Sequence, residues 1–415
     1  MREMKDSGLQ WAGDIPQYWN IAKGKHFMAV LERPVRDDDN VITCFRDGEV
    51  TLRSNRREDG FTVATVEAGY QGIEPGDLVV HGMDGFAGAI GISDSRGKGT
   101  PALNVLSCSE NKKYIMYLLR AMAYTEVFMA LSTGIRVRTC DTNWKKLKSL
   151  DYLIPPADEQ QCIADFLDAK CAEIDALTAD IQTQIDTLEQ YKRSVITETV
   201  TKGLNPNAEM KDSGIQWIGN MPAHWDVVRG KYILHYMQKP VRENDGVITC
   251  FRDGEVTLRS NRREDGFTMS DKEIGYQGID VDDLVIHGMD GFAGAIGISD
   301  SRGKASPVLN VLDTDQCKRY IMYYLRSMAY SDVFLALATG IRVRSCDLRW
   351  NKLAELSYPV PPLDEQNAIV KHIDSVLSKA DAVIADKKAQ LATLDEYKKS
   401  LIFEYVTGKK EVPVS

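Results

Sequence analysis

Arginine-rich stretches are the parts of this 415-residue sequence whose side chains could act on an anionic partner. A guanidinium group can bond two acceptors at once on a phosphate or a guanine edge, and an asparagine amide can pair with adenine. Every stretch occurs twice, 206 residues apart. The residues that we predict to contact DNA are Arg46, Arg53, Asn55, Arg56, Arg57, Arg96, Lys98, Arg136 and Arg138, with Arg252, Arg259, Asn261, Arg262, Arg263, Arg302, Lys304, Arg342 and Arg344 in the second copy.

The arginine cluster of residues 46–57 also has a structural interpretation. Glu49, Glu58 and Asp59 lie among these bases, so the cluster could pair internally on a solvated surface. Acidic neighbours of this kind could equally orient the arginines or accept from cytosine. The sequence leaves these interpretations open.

Two other segments carry alternatives of the same kind. Arg136 and Arg138 alternate along a strand-like run, which places both on one face. They could contact phosphates or bases, or form structural ion pairs. The glycine-rich stretch 81–88 could be a loop that approaches DNA closely, carrying Arg96 and Lys98 behind it, or a set of tight turns in a β-rich fold.

No group of residues has the pattern of a catalytic or metal site. The glycines of 81–88 fit no dinucleotide or P-loop pattern, and His81 with Asp84 alone makes no metal site or catalytic dyad. The eight cysteines form no C-x-x-C pair, which indicates buried free thiols. We predict no catalytic residue, no metal and no cofactor in this chain.

The positions of these residues are set by a duplication that covers the whole sequence. Residues 41–62 are identical to residues 247–268, and residues 81–98 to residues 287–304. A period of 206 residues is far too long for a solenoid. The chain therefore holds two copies of a mixed domain, each followed by a long segment without Gly or Pro.

The two long segments carry apolar residues at heptad spacing. Such a seam predicts a coiled coil, although one helix of a globular core is the alternative. Asp158 and Asp364 can cap the two helices at their N-termini. The predicted seam residues are Ile174, Ile181, Leu188 and Val195 in the first helix, and Leu377, Ile384 and Leu391 in the second.

The order domain, helix, domain, helix favours antiparallel pairing of the helices, because a parallel pair would force the second domain back along the whole helix. We predict an α+β fold: two duplicated α/β domains separated by two long helices that form an antiparallel coiled coil, with pseudo-two-fold symmetry. Two equivalent readers related in this way would meet inverted half-sites on DNA.

The net charge of −9 does not exclude a nucleic-acid partner. Residues 158–200 carry ten acidic and three basic residues, and residues 364–406 carry eight and six. The two helices therefore hold the whole acidic excess, and basic clusters elsewhere can still bind phosphate. We find no apolar run long enough for a membrane span and no signal peptide, so we expect a cytoplasmic protein without membrane partners.

Two motifs occur at matching places in both copies. A Trp-x-Gly-x-x-Pro-x-x-Trp signature lies at residues 11–19 and 217–225. A Pro-Pro-x-x-Glu-Gln boundary lies at residues 155–160 and 361–366, directly before each long helix. With these motifs, nearly the whole chain resembles the specificity subunit of a type I restriction–modification system.

The resemblance implies a non-catalytic subunit whose two target recognition domains each read one half of a bipartite double-stranded DNA target. The domain boundaries are then 1–156 and 206–362 for the recognition domains, and 157–205 and 363–415 for the helical spacers. The spacers would set the gap between half-sites and dock DNA adenine methyltransferase subunits, and restriction motor-nuclease subunits would join. S-adenosylmethionine and ATP with Mg²⁺ would serve these partners.

The long identical blocks add an expectation of their own, which is a near-palindromic target. Two other functions stay open at this point. One is a nuclease fused to a recognition repeat, which would need clustered acids at a metal site. The other is a structural adaptor without DNA contact, against which the repeated arginine blocks argue.

Overall fold

The chain folds into two compact units. The computed structural model describes residues 2–56, 67–130, 142–262, 274–336 and 348–413. Unit 1 combines Met1–Ile181 with Lys388–Ser415, and unit 2 is the continuous segment Gln182–Lys387. Both boundaries fall within long helices, so each unit holds one mixed domain and a part of both helices.

The domain of unit 1 is built around a four-stranded antiparallel sheet of order β4-β11-β8-β9, with four two-stranded ribbons around it. Its strands are β1 (Met4–Asp6), β2 (Asp14–Pro16), β3 (Asn20–Lys23), β4 (Met28–Val30), β5 (Ile42–Cys44), β6 (Val50–Leu52), β7 (Gln71–Ile73), β8 (Leu78–His81), β9 (Ile90–Ile92), β10 (Gly97–Gly99), β11 (Leu103–Cys108) and β12 (Asp151–Ile154). Its helices are α1 (Lys112–Tyr124), α2 (Val127–Ala130) and α3 (Trp144–Leu147), followed by the long helix α4 (Ala157–Lys202).

Unit 2 repeats this topology with the sheet order β16-β23-β20-β21. Its strands are β13 (Met210–Asp212), β14 (Asn220–Pro222), β15 (Asp226–Arg229), β16 (Leu234–Tyr236), β17 (Ile248–Cys250), β18 (Val256–Leu258), β19 (Gln277–Ile279), β20 (Leu284–His287), β21 (Ile296–Ile298), β22 (Gly303–Ala305), β23 (Leu309–Thr314) and β24 (Ser357–Val360). Its helices are α5 (Lys318–Tyr330), α6 (Val333–Ala336) and α7 (Trp350–Glu355), followed by the long helix α8 (Leu363–Val406).

Two helices, α1 and α2, follow the last strand of the sheet in place of one continuous helix. Helix α1 ends at Tyr124, and Glu126 adopts a φ of 61° before α2 begins. Asp332 takes a φ of 55° at the matching place in unit 2. This left-handed backbone cannot continue a helix, so α2 turns away from the axis of α1. Nothing in the residue types marks the break, because neither position is Gly or Pro.

Helix α1 lies at the centre of the core of unit 1. Ten of its residues are buried, and they pack on the sheet and on the first part of α4. Asn111 begins the helix by accepting from the backbone N–H groups of Lys113 and Tyr114 at 3.0 Å. Cys44 lies in the second, smaller core beside it, where burial raises the pKa of its thiol to about 12. Cys44 is therefore an unreactive core residue. The prediction of buried thiols is wrong for Cys162, which is exposed on α4.

The two long helices pack against each other within unit 1. Phe166 of α4 meets Tyr405 of α8 with ring centroids 4.4 Å apart, and Asp175 accepts from Lys398 at 2.6 Å. Residue numbers rise along one helix as they fall along the other, so the packing is antiparallel. Tyr114 of α1 donates to the carbonyl of Val406 at 3.2 Å, which satisfies one of the unpaired acceptors at the end of α8.

In unit 2 the long helices also pack antiparallel, here through the C-terminal part of α4 and the N-terminal part of α8. Lys192 of α4 bonds Asp381 of α8 at 2.6 Å, and Gln184 accepts from Lys387. Tyr320 of α5 donates to the carbonyl of Val200 in the last turn of α4, again at 3.2 Å. Each domain is therefore anchored on the C-terminal end of one long helix and on the N-terminal end of the other.

The predicted seam residues differ in how deeply they lie in their own units. Ile174, Ile181 and Ile384 are buried. The other four, Leu188, Val195, Leu377 and Leu391, are half-buried. Among the described residues, no helix combines the length and the apolar character that a membrane crossing requires.

Candidate nucleic-acid interface

The predicted contact residues at the start of the first identical block lie on one hairpin. We name this the arginine hairpin: residues 42–56 in unit 1 and 248–262 in unit 2, comprising two strands and the turn that follows them. Isolated bridges join Val50 to Ser93 and Val41 to Lys98. The fold thus brings the two identical blocks of sequence together on one part of each domain.

Acidic side chains hold two of the hairpin arginines in place. Arg46 bonds Asp84 at 2.8 Å while its own side chain stays 64% exposed. Arg56 bonds Asp47 at 2.6 Å and Glu49 at 3.1 Å, and its guanidinium lies over the ring of Phe45 at 4.4 Å. Pairs this exposed contribute little to stability. In this structure they set the direction in which the guanidinium groups point.

The hairpin of unit 2 reproduces this arrangement closely. Arg252 bonds Asp290 at 2.8 Å, and Arg262 bonds Asp253 at 2.7 Å. The guanidinium of Arg262 lies over Phe251 at 4.2 Å. Each unit therefore carries an arginine surface with the same arrangement of charges.

Arg53 and Asn55 are tethered to neighbouring threonines. Arg53 Nε donates to Thr43 at 3.4 Å, and the Asn55 amide donates to Thr51 at 2.8 Å. Arg259 and Asn261 make the matching bonds to Thr249 and Thr257 at 3.3 Å and 2.8 Å. The Asn55 and Asn261 side chains are thus held in a fixed orientation at the end of each hairpin.

Arg96 and Lys98 sit deeper and are engaged in ion pairs. Arg96 bonds the buried Asp39 at 3.0 Å and Glu74 at 3.1 Å, and Lys98 bonds Glu67 at 2.7 Å. In unit 2, Arg302 pairs with Asp245 and Asp280, and Lys304 is half-buried. This geometry supports a structural role at these four positions, and DNA contact by them stays a prediction.

Six predicted contact residues lie outside the described residues. They are Arg57, Arg136 and Arg138 in the first copy, and Arg263, Arg342 and Arg344 in the second. Their contacts remain predictions.

The glycine-rich stretch forms a tight loop beside the hairpin. We name it the glycine loop: residues 81–88 in unit 1 and 287–294 in unit 2. Gly88 has a φ of 94°, and a β-carbon there would lie 2.8 Å from the carbonyl oxygen of Arg46. Both the conformation and the close approach require glycine. The stretch is therefore a set of tight turns that packs directly on the arginine hairpin.

An arginine that the sequence analysis missed supports the hairpin from within. Arg120 of α1 is buried, and it donates to the carbonyls of Ile90 at 2.8 Å and Gly48 at 2.9 Å. Arg326 donates to the carbonyl of Ile296 at 2.8 Å in unit 2. The signal was present, because Arg120 is a single charge within an otherwise apolar helical run. It joins the turn of the hairpin to the core.

The Pro-Pro-x-x-Glu-Gln boundary proves to be a buried joint. Gln160 accepts from the backbone N–H of Asn111 at 3.0 Å and donates to Glu110 at 2.7 Å and to the carbonyl of Pro155 at 2.9 Å. Gln366 makes the equivalent three bonds in unit 2. Each glutamine fastens the start of a long helix to the start of the central helix of its domain.

The tryptophan signature meets the same joint. Trp19 is fully buried and donates through Nε1 to Glu159 at 2.9 Å. In unit 2 the equivalent Glu365 instead bonds His224 at 2.7 Å. In the described part of the chain, no group of three or more His, Cys, Asp or Glu side chains could hold a metal ion.

The chain is similar to known type I restriction enzyme specificity subunits, although no protein-family model matches it. The putative type I restriction enzyme MjaX specificity subunit of Methanocaldococcus jannaschii is 24% identical, covering 96% of this chain and 95% of the relative. The type I restriction enzyme StySPI specificity subunit of Salmonella potsdam is 19% identical, covering 96% and 90%. The resemblance expected from the two motifs is confirmed.

A solved structure supports the fold. One chain of a type I restriction–modification system, studied for its complex assembly and conformational transition, aligns with a TM-score of 0.66. The alignment covers 95% of this chain and 99% of that chain at 12% identity. The predicted α+β class with duplicated domains and two long helices is confirmed, whereas the two-fold relation of the copies stays a prediction.

Proposed function

We propose that this chain, a specificity subunit of a type I restriction–modification system, reads a two-part DNA target with the arginine hairpin and glycine loop of each unit. The observation that carries the proposal is the outward arginine surface that recurs in both units, typified by Arg46 and Arg252 at 64% and 60% side-chain exposure. Arginines held in this way can fork onto guanine or phosphate. The chain is a recognition subunit and not an enzyme.

The two half-sites should be nearly the same sequence. The arginine hairpins agree to within 0.1 Å in the bonds of Arg46 and Arg252 and of Arg56 and Arg262. Matching donors in matching positions select matching bases. With the copies in opposite orientations, the target is an interrupted palindrome.

The partners follow from the same assignment. DNA adenine methyltransferase subunits dock on the long helices, motor-nuclease subunits complete the assembly, and S-adenosylmethionine and ATP with Mg²⁺ bind to those partners. The acidic excess of residues 158–200 supports a protein-binding role for α4, because a surface of that sign repels DNA. Such an assembly works in the cytoplasm. The relatives give no support to a fused nuclease or to an adaptor without DNA contact.

Mapping adenine methylation tests the proposal directly. The chain is co-expressed with its methyltransferase partner in a host free of other adenine methylation, and the genome is sequenced for the modified base. We expect one split motif whose two halves are near reverse complements. A motif with unrelated halves contradicts the palindrome, and the absence of any motif contradicts the reading function. A host that receives the methyltransferase alone is the control.

Lengthening both spacer helices tests their role as the ruler between half-sites. One heptad is inserted between Ile181 and Gln182 in α4 and another between Lys387 and Lys388 in α8, so that the antiparallel pairing inside each unit is kept. We expect the methylated motif to retain both half-sites and to gain base pairs in the gap, because each heptad adds about 10 Å of helix. An unchanged gap would show that the helices do not set it.

A further inference from the structure

The glycine loop of each unit exposes one large apolar side chain. Met83 is 57% exposed and Met289 is 54% exposed, more than any other methionine that the structure describes. A single exposed apolar residue is common on protein surfaces and indicates nothing by itself. Met83 and Met289 differ from such single residues in the contacts of the loop that carries them.

The backbone that carries Met83 is fixed by its neighbours. His81 Nδ1 accepts from the N–H groups of Met83 at 3.2 Å and Asp84 at 3.1 Å. Burial lowers the pKa of His81, which keeps the ring neutral and able to accept. His287 holds Met289 and Asp290 in the same way, at 3.3 Å and 2.9 Å. The methionine is therefore held at a fixed point of the loop.

The loop lies next to the arginine hairpin, which is predicted to contact DNA. Asp84 bonds Arg46 of the hairpin. Thr142 donates to the carbonyl of His81 at 2.8 Å and so also fixes the loop. Met83 is therefore carried by a loop that directly contacts the charged hairpin.

The two copies have changed at other exposed positions but not here. His26 in unit 1 is replaced by Tyr232 in unit 2, and Ala29 by His235. All 18 residues from 81 to 98 are the same in both copies. Met83 and Met289 therefore belong to a surface block that is retained whole in both copies and that contacts the arginine hairpin.

We propose that Met83 and Met289 each pack against the 5-methyl group of a thymine in the major groove, one in each half-site. This methyl is the apolar group that the major groove displays on a base edge, so an apolar side chain among arginines has a specific counterpart there. The inference rests on the proposed function. It adds recognition of an A·T pair to the guanine and phosphate contacts of the arginines.

Replacing thymine by deoxyuridine tests the contact, since it removes only the methyl group. The complete complex with its methyltransferase subunits is titrated with duplexes of the mapped motif, in which one thymine at a time carries the change. We expect one position in each half-site to bind about fourfold more weakly, the equivalent of roughly 0.8 kcal/mol for one buried methyl. The variant Met83→Ala/Met289→Ala should bind thymine and deoxyuridine duplexes equally.

Two further variants control for folding and for general loss of apolar surface. Met4 and Met210 occupy matching positions and are 39% and 40% exposed, so Met4→Ala/Met210→Ala should keep the preference for thymine. Met83→Leu/Met289→Leu should also keep it, because leucine remains apolar. A complex indifferent to deoxyuridine at every position, or an alanine variant that keeps the full preference, would overturn the inference. The mapped motif itself would still support the proposed function.

Discussion

Replacing Arg46 and Arg252 together with alanine is expected to slow methylation of the mapped target about 100-fold. Each arginine that forks onto a base is worth about 1.4 kcal/mol, within the range of specific contacts, so two of them account for two factors of ten. The rate of methyl transfer to a short duplex, measured with the reconstituted complex at fixed salt, gives this number. Salt must be held constant because phosphate contacts weaken steeply as it rises.

The single variants test each half of the motif separately. Arg46→Ala alone should relax base choice in one half of the motif and leave the other half strict, and Arg252→Ala should do the same in the other half. Lys23→Ala/Arg229→Ala is a matched control, because these residues also occupy equivalent exposed positions but lie on β3 and β15. An equal loss in the control, or an unchanged rate in the test pair, contradicts the assignment of the hairpin.

Replacing Gln160 with leucine is expected to destabilise unit 1 by about 4 kcal/mol, because the buried carbonyl of Pro155 and the half-buried Asn111 N–H and Glu110 carboxylate then lose their partner. Leucine fills a similar volume, so the loss reports hydrogen bonding more than packing. Hydrogen exchange of the intact chain, followed by mass spectrometry, measures each unit separately. Protection should fall for α1 and the start of α4 and stay unchanged for α5.

The other copy supplies the control for this substitution. Gln366→Leu should lower protection in α5 and the start of α8 and leave α1 unchanged. Gln161 is exposed, and so is the bond of 2.7 Å that it accepts from the Asn111 side chain, so Gln161→Leu should change protection much less than Gln160→Leu. If Gln160→Leu lowers protection equally in both units, the joint does not act within one unit as the structure indicates.

The features that could be predicted from sequence are those set by repetition. A fixed offset of 206 residues gives the duplication, and an apolar side chain at every seventh position gives the helix seam. Capping by Asp158 and Asp364 was predicted one residue too far along, because the helices begin at Ala157 and Leu363 and place these carboxylates within the first turn. The hairpin that gathers Arg46 to Arg56 could be inferred only as a cluster along the chain.

The features that could not be predicted depend on contacts between distant residues. Arg120 lies 72 residues from the carbonyl of Gly48 that it bonds, and no local pattern links the two. The break at Glu126 arises from a left-handed backbone that this residue type rarely adopts. The motif that contains Gln160 was recognisable in the sequence. Its role as a buried joint follows only from the three hydrogen-bond partners of Gln160 in the structure.

The division of the chain between the two units has a consequence for its synthesis. Unit 2 is one continuous segment, whereas the core of unit 1 needs Leu401, Ile402 and Tyr405 from the far end of α8. A chain emerging from the ribosome can therefore complete the second unit first. Part of the apolar core of the first domain stays uncovered until more than two hundred further residues have been translated. During that time the first domain is the part of the chain most exposed to aggregation and most dependent on a chaperone.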